Sequence, residues 1–250
     1  MKKTAFDIIS DLYLTTNSKV SWTNKTTSLY CIVAGNISED RNVLIEFLTL
    51  LSAHYKAVFY IDGDLDHSCY EGNIKASYRN LHEQIDSIEN VVFLHDSIII
   101  LDNVTLMGVN GWSTLSPNAI RYLDESQIMS KYYANNMCNM AVSDQNYLYN
   151  SVEKCQELNE CVNVIIVTNT VPIYDFISHN DKYLGSIDGE LMSNNGLISC
   201  LSLDKYEKLH TWVFGKFEDP VNYTINNLNY VSNPGKEVGW ETYFPKRIEI

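Results

Sequence analysis

The side chains best suited to chemistry stand in short groups, each at the end of an apolar run. Asp11-Leu12-Tyr13 follows Ala5–Ser10, Gly35-Asn36-Ile37-Ser38-Glu39 follows Leu29–Ala34, and Gly63-Asp64-Leu65-Asp66 comes just after Ala57–Ile61. Two later groups are Asn169 with Pro172, after Val162–Val167, and Gly215-Lys216-Phe217-Glu218, after Thr211–Phe214. Asp11, Asp64 and Glu218 offer carboxylate oxygens, while Asn36 and Asn169 offer amide oxygens. Such a set could hold one hard cation, Mg²⁺, Mn²⁺ or Ca²⁺. Lys216 opposes that use, because a protonated lysine donates hydrogen bonds and has no lone pair for a metal. Its ammonium could instead lie among Asp11, Asp64 and Glu218, reach solvent, or hold the anionic group of a phosphorylated small molecule.

Groups so far apart in sequence meet only if the chain returns repeatedly to one edge. The apolar runs read as buried strands, and Asp40 can cap a helix whose Val43, Leu44, Phe47, Leu48 and Leu51 keep 3–4 spacing. A helix over Tyr78–Ile88 follows, then strands over Val91–Leu94, Ile98–Leu101 and Val104–Val109, and a helix over Ser143–Leu158. This alternation indicates a sheet with crossover helices, whose ligand sites lie at the strand ends. Asn222–Ser232 reads as a hairpin folded at Asn226-Asn227, since Asn tolerates positive φ. Loop and short helix are expected over Ser113–Asn136, a loop or flap over Tyr174–Asn195, and a helix around Gly196–Tyr206.

With 250 residues the chain can form one large α/β domain spanning 1–250. A formal net charge of -13 argues against nucleic acid held by a basic patch. The six cysteines are scattered, without C-x-x-C, as in free thiols of a reducing compartment. Met1-Lys2-Lys3 starts like a signal peptide, but Asp7 and Asp11 interrupt any apolar core. No uncharged apolar run approaches the roughly 20 residues that span a bilayer. A cytoplasmic protein without membrane contact is expected, and its Asn, Tyr, Ile and Lys suggest an AT-rich genome such as that of a phage or a low-GC bacterium.

In order and spacing the five groups resemble the motifs of the calcineurin-like metallophosphoesterases. The family frames D-x-H, G-D-x-x-D/E and G-N-H-D/E correspond to Asp11–Tyr13, Gly35–Glu39 and Gly63–Asp66. A histidine followed closely by proline corresponds to Asn169 and Pro172, and G-H-x-H to Gly215–Glu218. Asn90–Leu94, Gly111-Trp112 and Asn233-Pro234-Gly235 match common family context. The resemblance implies a four-layer α-β-β-α sandwich of two mixed sheets. Strands before Asp11, Gly35 and Gly63 would share the first sheet, and those before Asn169 and Gly215 the second.

In the family these positions hold two metal ions that activate the attacking hydroxide. Carried over, only Asp11 keeps a family ligand type. Asn36 replaces the bridging carboxylate, Asp64 an asparagine, and Tyr13, Asn169, Lys216 and Glu218 the histidines. Leu65 replaces the catalytic histidine. The resemblance therefore implies an inactive homologue, a protein-binding module with no cofactor, whose vestigial pocket comprises Asp11, Tyr13, Asn36, Asp64, Leu65, Asn169, Lys216 and Glu218. Alternatives are a single-metal phosphodiesterase or nuclease using one Mg or Mn ion on Asp11, Asp64 and Glu218, and a binder of a phosphorylated small molecule through Lys216. A homo-oligomer is compatible with each. Asp62 and Asp66 are expected to cap or solvate their loop, His67 to lie in a surface or loop position, and His210 to pack on or at the edge of the last strand. His54, His82, His95 and His179 share no ligand spacing, and Trp22, Trp112, Trp212 and Trp240 are expected in packing.

Overall fold

The computed structural model describes residues 3–70, 73–178, 185–236 and 242–250, and in it the apolar runs become strands. Ala5–Ile9 (β1), Tyr30–Ala34 (β2) and Ala57–Ile61 (β3) are buried on both faces, which explains their lack of polar alternation. They pair in parallel, with Val91–Phe93 (β4) beyond β3. The C-terminal strand Lys246–Glu249 (β11) joins β1 antiparallel, giving the order β11-β1-β2-β3-β4. The second sheet contains Ser97–Leu101 (β5), Val104–Val109 (β6), Val164–Thr168 (β7), Leu209–Phe214 (β8), Val221–Ile225 (β9) and Leu228–Ser232 (β10). Its order is β5-β6-β7-β8-β10-β9, with parallel and antiparallel neighbours.

The sheets face each other across Phe6, Ile8, Ile32 and Phe59 from the first, and Leu106, Ile165, Val167 and Val213 from the second. Each such side chain contributes roughly 1.5–3 kcal/mol of transfer free energy. Helix Arg41–Ser52 (α1) covers the outside of the first sheet through Leu44, Phe47, Leu48 and Leu51. Asp40 starts it by accepting the Asn42 and Val43 N–H groups at 2.8 and 3.3 Å. Ile74–Ile85 (α2) lies beside it, and Leu148, Val152 and Cys155 of Lys131–Glu157 (α4) pack on the second sheet. This is the expected four-layer α-β-β-α sandwich.

Asn226 and Asn227 have φ of 49° and 66°, the left-handed pair that a two-residue hairpin needs. Because β10 runs parallel to β8, the chain leaves it at the same end and returns to the first sheet. Ser10 N–H donates to Asn233 O and Gly235 N–H to Ser10 O, each at 3.1 Å. Asn233-Pro234-Gly235 thus ties the hairpin to the end of β1.

Several expectations need correction. Ser113–Asn136 holds helix Pro117–Glu125 (α3) and the start of α4, which begins at Lys131 rather than near Ser143. The α4 stripe is Ala134, Met137, Ala141, Asp144, Leu148 and Ser151, with helical spacing but too many small and polar members to register as apolar. Tyr174–Asn195 contains Asp175–Ser178 (α5) and Ile187–Met192 (α6), whereas the helix expected around Gly196–Tyr206 is present, as a 3-10 helix over Leu197–Leu203. Strand β11 was not expected, since Ile248 alone among its residues is buried. His179 and Trp240 lie outside the described residues. Among the described residues no helix is long and apolar enough to cross a membrane.

The C-terminus of α4 is closed by a distant lysine. Lys208 Nζ donates to Cys155 O, Gln156 O and Leu158 O at 2.6, 3.2 and 2.8 Å. Lys208→Met keeps the aliphatic stem but strands those carbonyls, and should lower stability by about 1–3 kcal/mol in denaturant titration. An unchanged midpoint would show that the cap is not needed.

Candidate functional site

The loops after β1, β2, β3, β7 and β8 meet because glycine lets them approach. A Cβ on Gly63 would stand 2.3 Å from Asn36 N, one on Gly35 2.5 Å from Asn169 Oδ1, and one on Gly215 2.3 Å from Ala34 O. Any side chain there would push the loops apart. Asp11, Tyr13, Asn36 and Lys216 have φ of 52°, 50°, 55° and 57°, a left-handed conformation costing roughly 1 kcal/mol each outside glycine. Such strain persists where surrounding contacts over-determine it.

The contacts are explicit. Asp11, 2 % exposed, accepts the Asn36 side-chain amide at 2.9 Å and the Lys216 backbone N–H at 2.8 Å on Oδ1. Asn36 Oδ1 accepts the Leu65 N–H at 3.2 Å. Asn169 is fully buried, and its carbonyl accepts the Gly215 N–H at 3.0 Å. The Lys216 ammonium is ion-paired with Asp64 Oδ2 and donates to Ser113 Oγ at 3.2 Å. Ammonium and carboxylate are 14 % and 25 % exposed, so the pair is largely shielded from water. Glu218 faces outward to Lys236 at 3.7 Å, and Lys236 lies 4.9 Å over the Tyr13 ring.

Of the sequence alternatives for the Lys216 ammonium, the paired one is seen in part: it reaches Asp64, while Asp11 meets the same residue through its backbone and Glu218 pairs with Lys236. Asp11 is therefore buried against neutral donors. Burial pushes its carboxyl up to about 7, although the hydrogen bonds from Asn36 and the Lys216 N–H lower it. Burial and the charges of Asp11, Asp64, Asp66 and Glu218 likewise push the Tyr13 hydroxyl up. A pocket of about 290 Å³ opens beside them, lined by Asp11, Tyr13, Lys216, Glu218, Asp188 and Leu191. Leu65 lines a second cleft with Leu14 and Glu39, and Tyr13 borders both.

Two acidic residues do more than sequence reasoning assigned them. Asp66, 1 % exposed, accepts the N–H groups of Asn36, Ile37, Ser38 and Gly63 at 2.8–3.1 Å and the Tyr60 hydroxyl at 2.8 Å. It pins the second loop to the third, and its signal was present in the fourth position of the third frame. Asp62 is fully buried rather than solvated, and accepts from Tyr78 at 2.8 Å and Asn110 at 2.9 Å while contacting His67 Nε2 at 2.8 Å. Burial pushes Asp62 up, yet the hydrogen bond and charge of His67, with help from His95 and Asn110, hold it at about 2. His67 is buried, not superficial, with Ser77 Oγ 2.7 Å from its Nδ1. Ser113 on Lys216, and Asp144 of α4 accepting the Gly111 and Trp112 N–H groups at 2.7 and 3.2 Å, were also unforeseen. No local motif announces them. His210 lies half-buried on β8, 2.8 Å from Thr211 Oγ1.

The donor set does not fit the two-metal centre that the resemblance implies. Among the described residues, no three His, Cys, Asp or Glu side chains gather closely enough to hold a metal ion. The alternative trio Asp11, Asp64 and Glu218 does not converge, because Asp64 is taken by an ammonium and Glu218 turns to Lys236. Asn36 stands in the bridging position as a neutral amide that already donates to Asp11.

No family model matches the chain. An uncharacterized protein of Acanthamoeba polyphaga mimivirus is 22% identical over 225 residues, covering 82% of this chain and 77% of the relative. Among solved structures, phosphopantetheinyl hydrolase of Mycobacterium tuberculosis superposes with a TM-score of 0.71 at 14% identity, over 98% of this chain and 96% of the other. GAP50, described as the anchor in the inner membrane complex of Plasmodium, superposes with a TM-score of 0.53 at 11% identity, over 93% and 71%. A Staphylococcus aureus protein described as a candidate 5′-nucleotidase superposes at 0.50 and 12% identity, over 93% of this chain and 49% of that one. These likenesses show the fold, which is of the metallophosphoesterase type.

Asp11 and Asp66 each yield a measurable consequence. Folded Asp11 keeps its proton to about pH 7, whereas the unfolded chain releases it near 3.8. Its contribution to stability is full below the unfolded value and is lost as pH rises towards 7, by about 2–4 kcal/mol. Asp11→Asn should remove that slope in urea titrations from pH 4.5 to 8, and a stability difference between variant and parent that ignores pH would contradict the reading. Asp66→Ala leaves buried N–H groups without an acceptor and should cost at least ~3 kcal/mol by the same assay. A smaller loss would mean that the loops hold together without it.

Proposed function

We propose that the chain is a non-hydrolytic protein of the metallophosphoesterase fold, in which a lysine ammonium replaces metal and the scaffold serves as a protein-binding module. The observation that carries this reading is the shielded pair between Lys216 and Asp64, built from positions corresponding to metal ligands in the resembling family. Two-metal hydrolysis needs a bridging anion, lone-pair donors and a group to assist the leaving oxygen. Asn36, Lys216 and Leu65 supply none of these in turn. The binding role draws support from GAP50, whose fold is similar and which is described as an anchor. The free, buried Cys31, Cys155, Cys161 and Cys200 support a reducing, cytoplasmic setting.

The enzymatic reading, one Mg or Mn ion on Asp11, Asp64 and Glu218, draws on the neighbours described as a hydrolase and a nucleotidase. It would require the Lys216 ammonium to leave Asp64. Binding of a phosphorylated small molecule through Lys216 meets the same obstacle, since the ammonium is already held by Asp64 and Ser113.

Incubation with Mn²⁺ and a generic aryl phosphodiester separates these readings. The expected outcome is no turnover above buffer and no shift in melting temperature with the metal. Mn²⁺-dependent hydrolysis that disappears in the Asp11→Ala, Asp64→Ala double variant would establish the enzyme instead.

A further inference from the structure

Strand β9 is the outermost strand of the second sheet, and among the described residues it pairs only with β10. Its sequence, V-N-Y-T-I, contains no charge and no proline, and all but Val221 is exposed, Tyr223 at 64 %. Exposed edges of this kind are ordinarily blunted by charge, bulge or brevity, because their free N–H and C=O groups template another strand. The β9–β10 register runs from Val221↔Ser232 to Ile225↔Leu228 without a bulge.

The other edges are guarded. Lys246, Arg247 and Glu249 line β11, and β4 spans only Val91–Phe93. Strand β5, S-I-I-I-L, is uncharged but lies between Asp96 and Asp102. Two copies of β5 paired about Ile99 would set Asp96 opposite the second copy's Asp102, a like-charge opposition. The same operation on β9 gives no such clash. Centred on Tyr223, it sets Val221 against Ile225, Asn222 against Thr224, and, beyond the strand, Asp219 against the neutral Asn227.

The backbone suits this register. In a two-residue hairpin the residues flanking the turn, Ile225 and Leu228, exchange hydrogen bonds, so Tyr223 and Val221 also bond towards β10. Asn222 and Thr224 then point their N–H and C=O groups outward. The two-fold operation brings those residues into reciprocal N–H···O=C bonding and leaves Tyr223 against its symmetry mate in a close, non-hydrogen-bonded pair.

We propose that two copies of this chain associate through β9, antiparallel about a two-fold axis at Tyr223, so that their second sheets become one continuous sheet. The contact is isologous and closes on itself, the commonest arrangement in soluble oligomers. A neutral strand is the place where two chains of net charge -13 can bring backbone to backbone with least repulsion.

Cysteine cross-linking tests the register. Non-hydrogen-bonded antiparallel partners have Cα atoms about 4.5 Å apart, within disulfide reach. Under mild oxidation Tyr223→Cys should give a covalent dimer band that Asn222→Cys lacks, because Asn222 lies diagonal to its own copy. In sedimentation at micromolar concentrations the parent should run as a dimer. Thr224→Pro, which removes an outward N–H and spares the β10 ladder, should run as a monomer with an unchanged circular dichroism spectrum. Tyr223→Lys, which opposes two ammoniums at the axis, serves as the second disrupting variant should the proline unfold the hairpin. A parent that sediments as a monomer throughout, equal cross-linking of both cysteine variants, or folded disrupting variants that remain dimeric would overturn the proposal.

Discussion

The pair between the Lys216 ammonium and Asp64 is the interaction from which the character of the site follows. It joins the end of the second sheet to the end of the first, across the cleft where the strand loops converge. Taking two opposite charges partly out of water is costly. Once both are in place, removing either leaves the other stranded, a loss of typically a few kcal/mol. A dinuclear metal centre would concentrate far more positive charge and demand anionic ligands to balance it. The single ammonium balances Asp64, and Asp11 meets its surroundings through neutral amides.

Convergence itself depends on a separate set of contacts, which leave the chemistry free to change. Gly35, Gly63 and Gly215 admit backbone and amide atoms at distances no Cβ would tolerate. Asp66 gathers N–H groups from two loops, and Asn233-Pro234-Gly235 fastens the hairpin to β1. Asp62 and His67 form a buried layer beneath, shared with Tyr78, Asn110 and Ser77. None of these groups needs a metal. These contacts over-determine the left-handed conformations at Asp11, Asn36 and Lys216, which is how they persist.

Much of the architecture was legible because fully buried parallel strands leave an unbroken apolar signature. Strands β3 and β6 fall at the expected residues, and the Asn226-Asn227 turn follows from the conformational tolerance of asparagine. The N-terminal half of α4 was not legible, because it packs through Ala134 and Ala141 and buries Asp144. At the site, the residues that meet follow from the family resemblance carried over position by position, but not which partner each would take. Whether an ammonium or a backbone N–H reaches Asp11 depends on a positive φ at Lys216 and on Ser113, both set by distant contacts. The buried roles of Asp62 and His67 were invisible for a related reason: a polar residue beside a glycine turn reads as solvated until its donors arrive from elsewhere.

The central claim is that a lysine nitrogen occupies the role of the metal in this cleft. Crystals grown with Mn²⁺, measured for anomalous scattering at the manganese edge, test it most directly. The account predicts no anomalous peak between Asp11 and Asp64, with the Lys216 ammonium against Asp64. A pair of strong manganese peaks there, with Lys216 swung away, would contradict it.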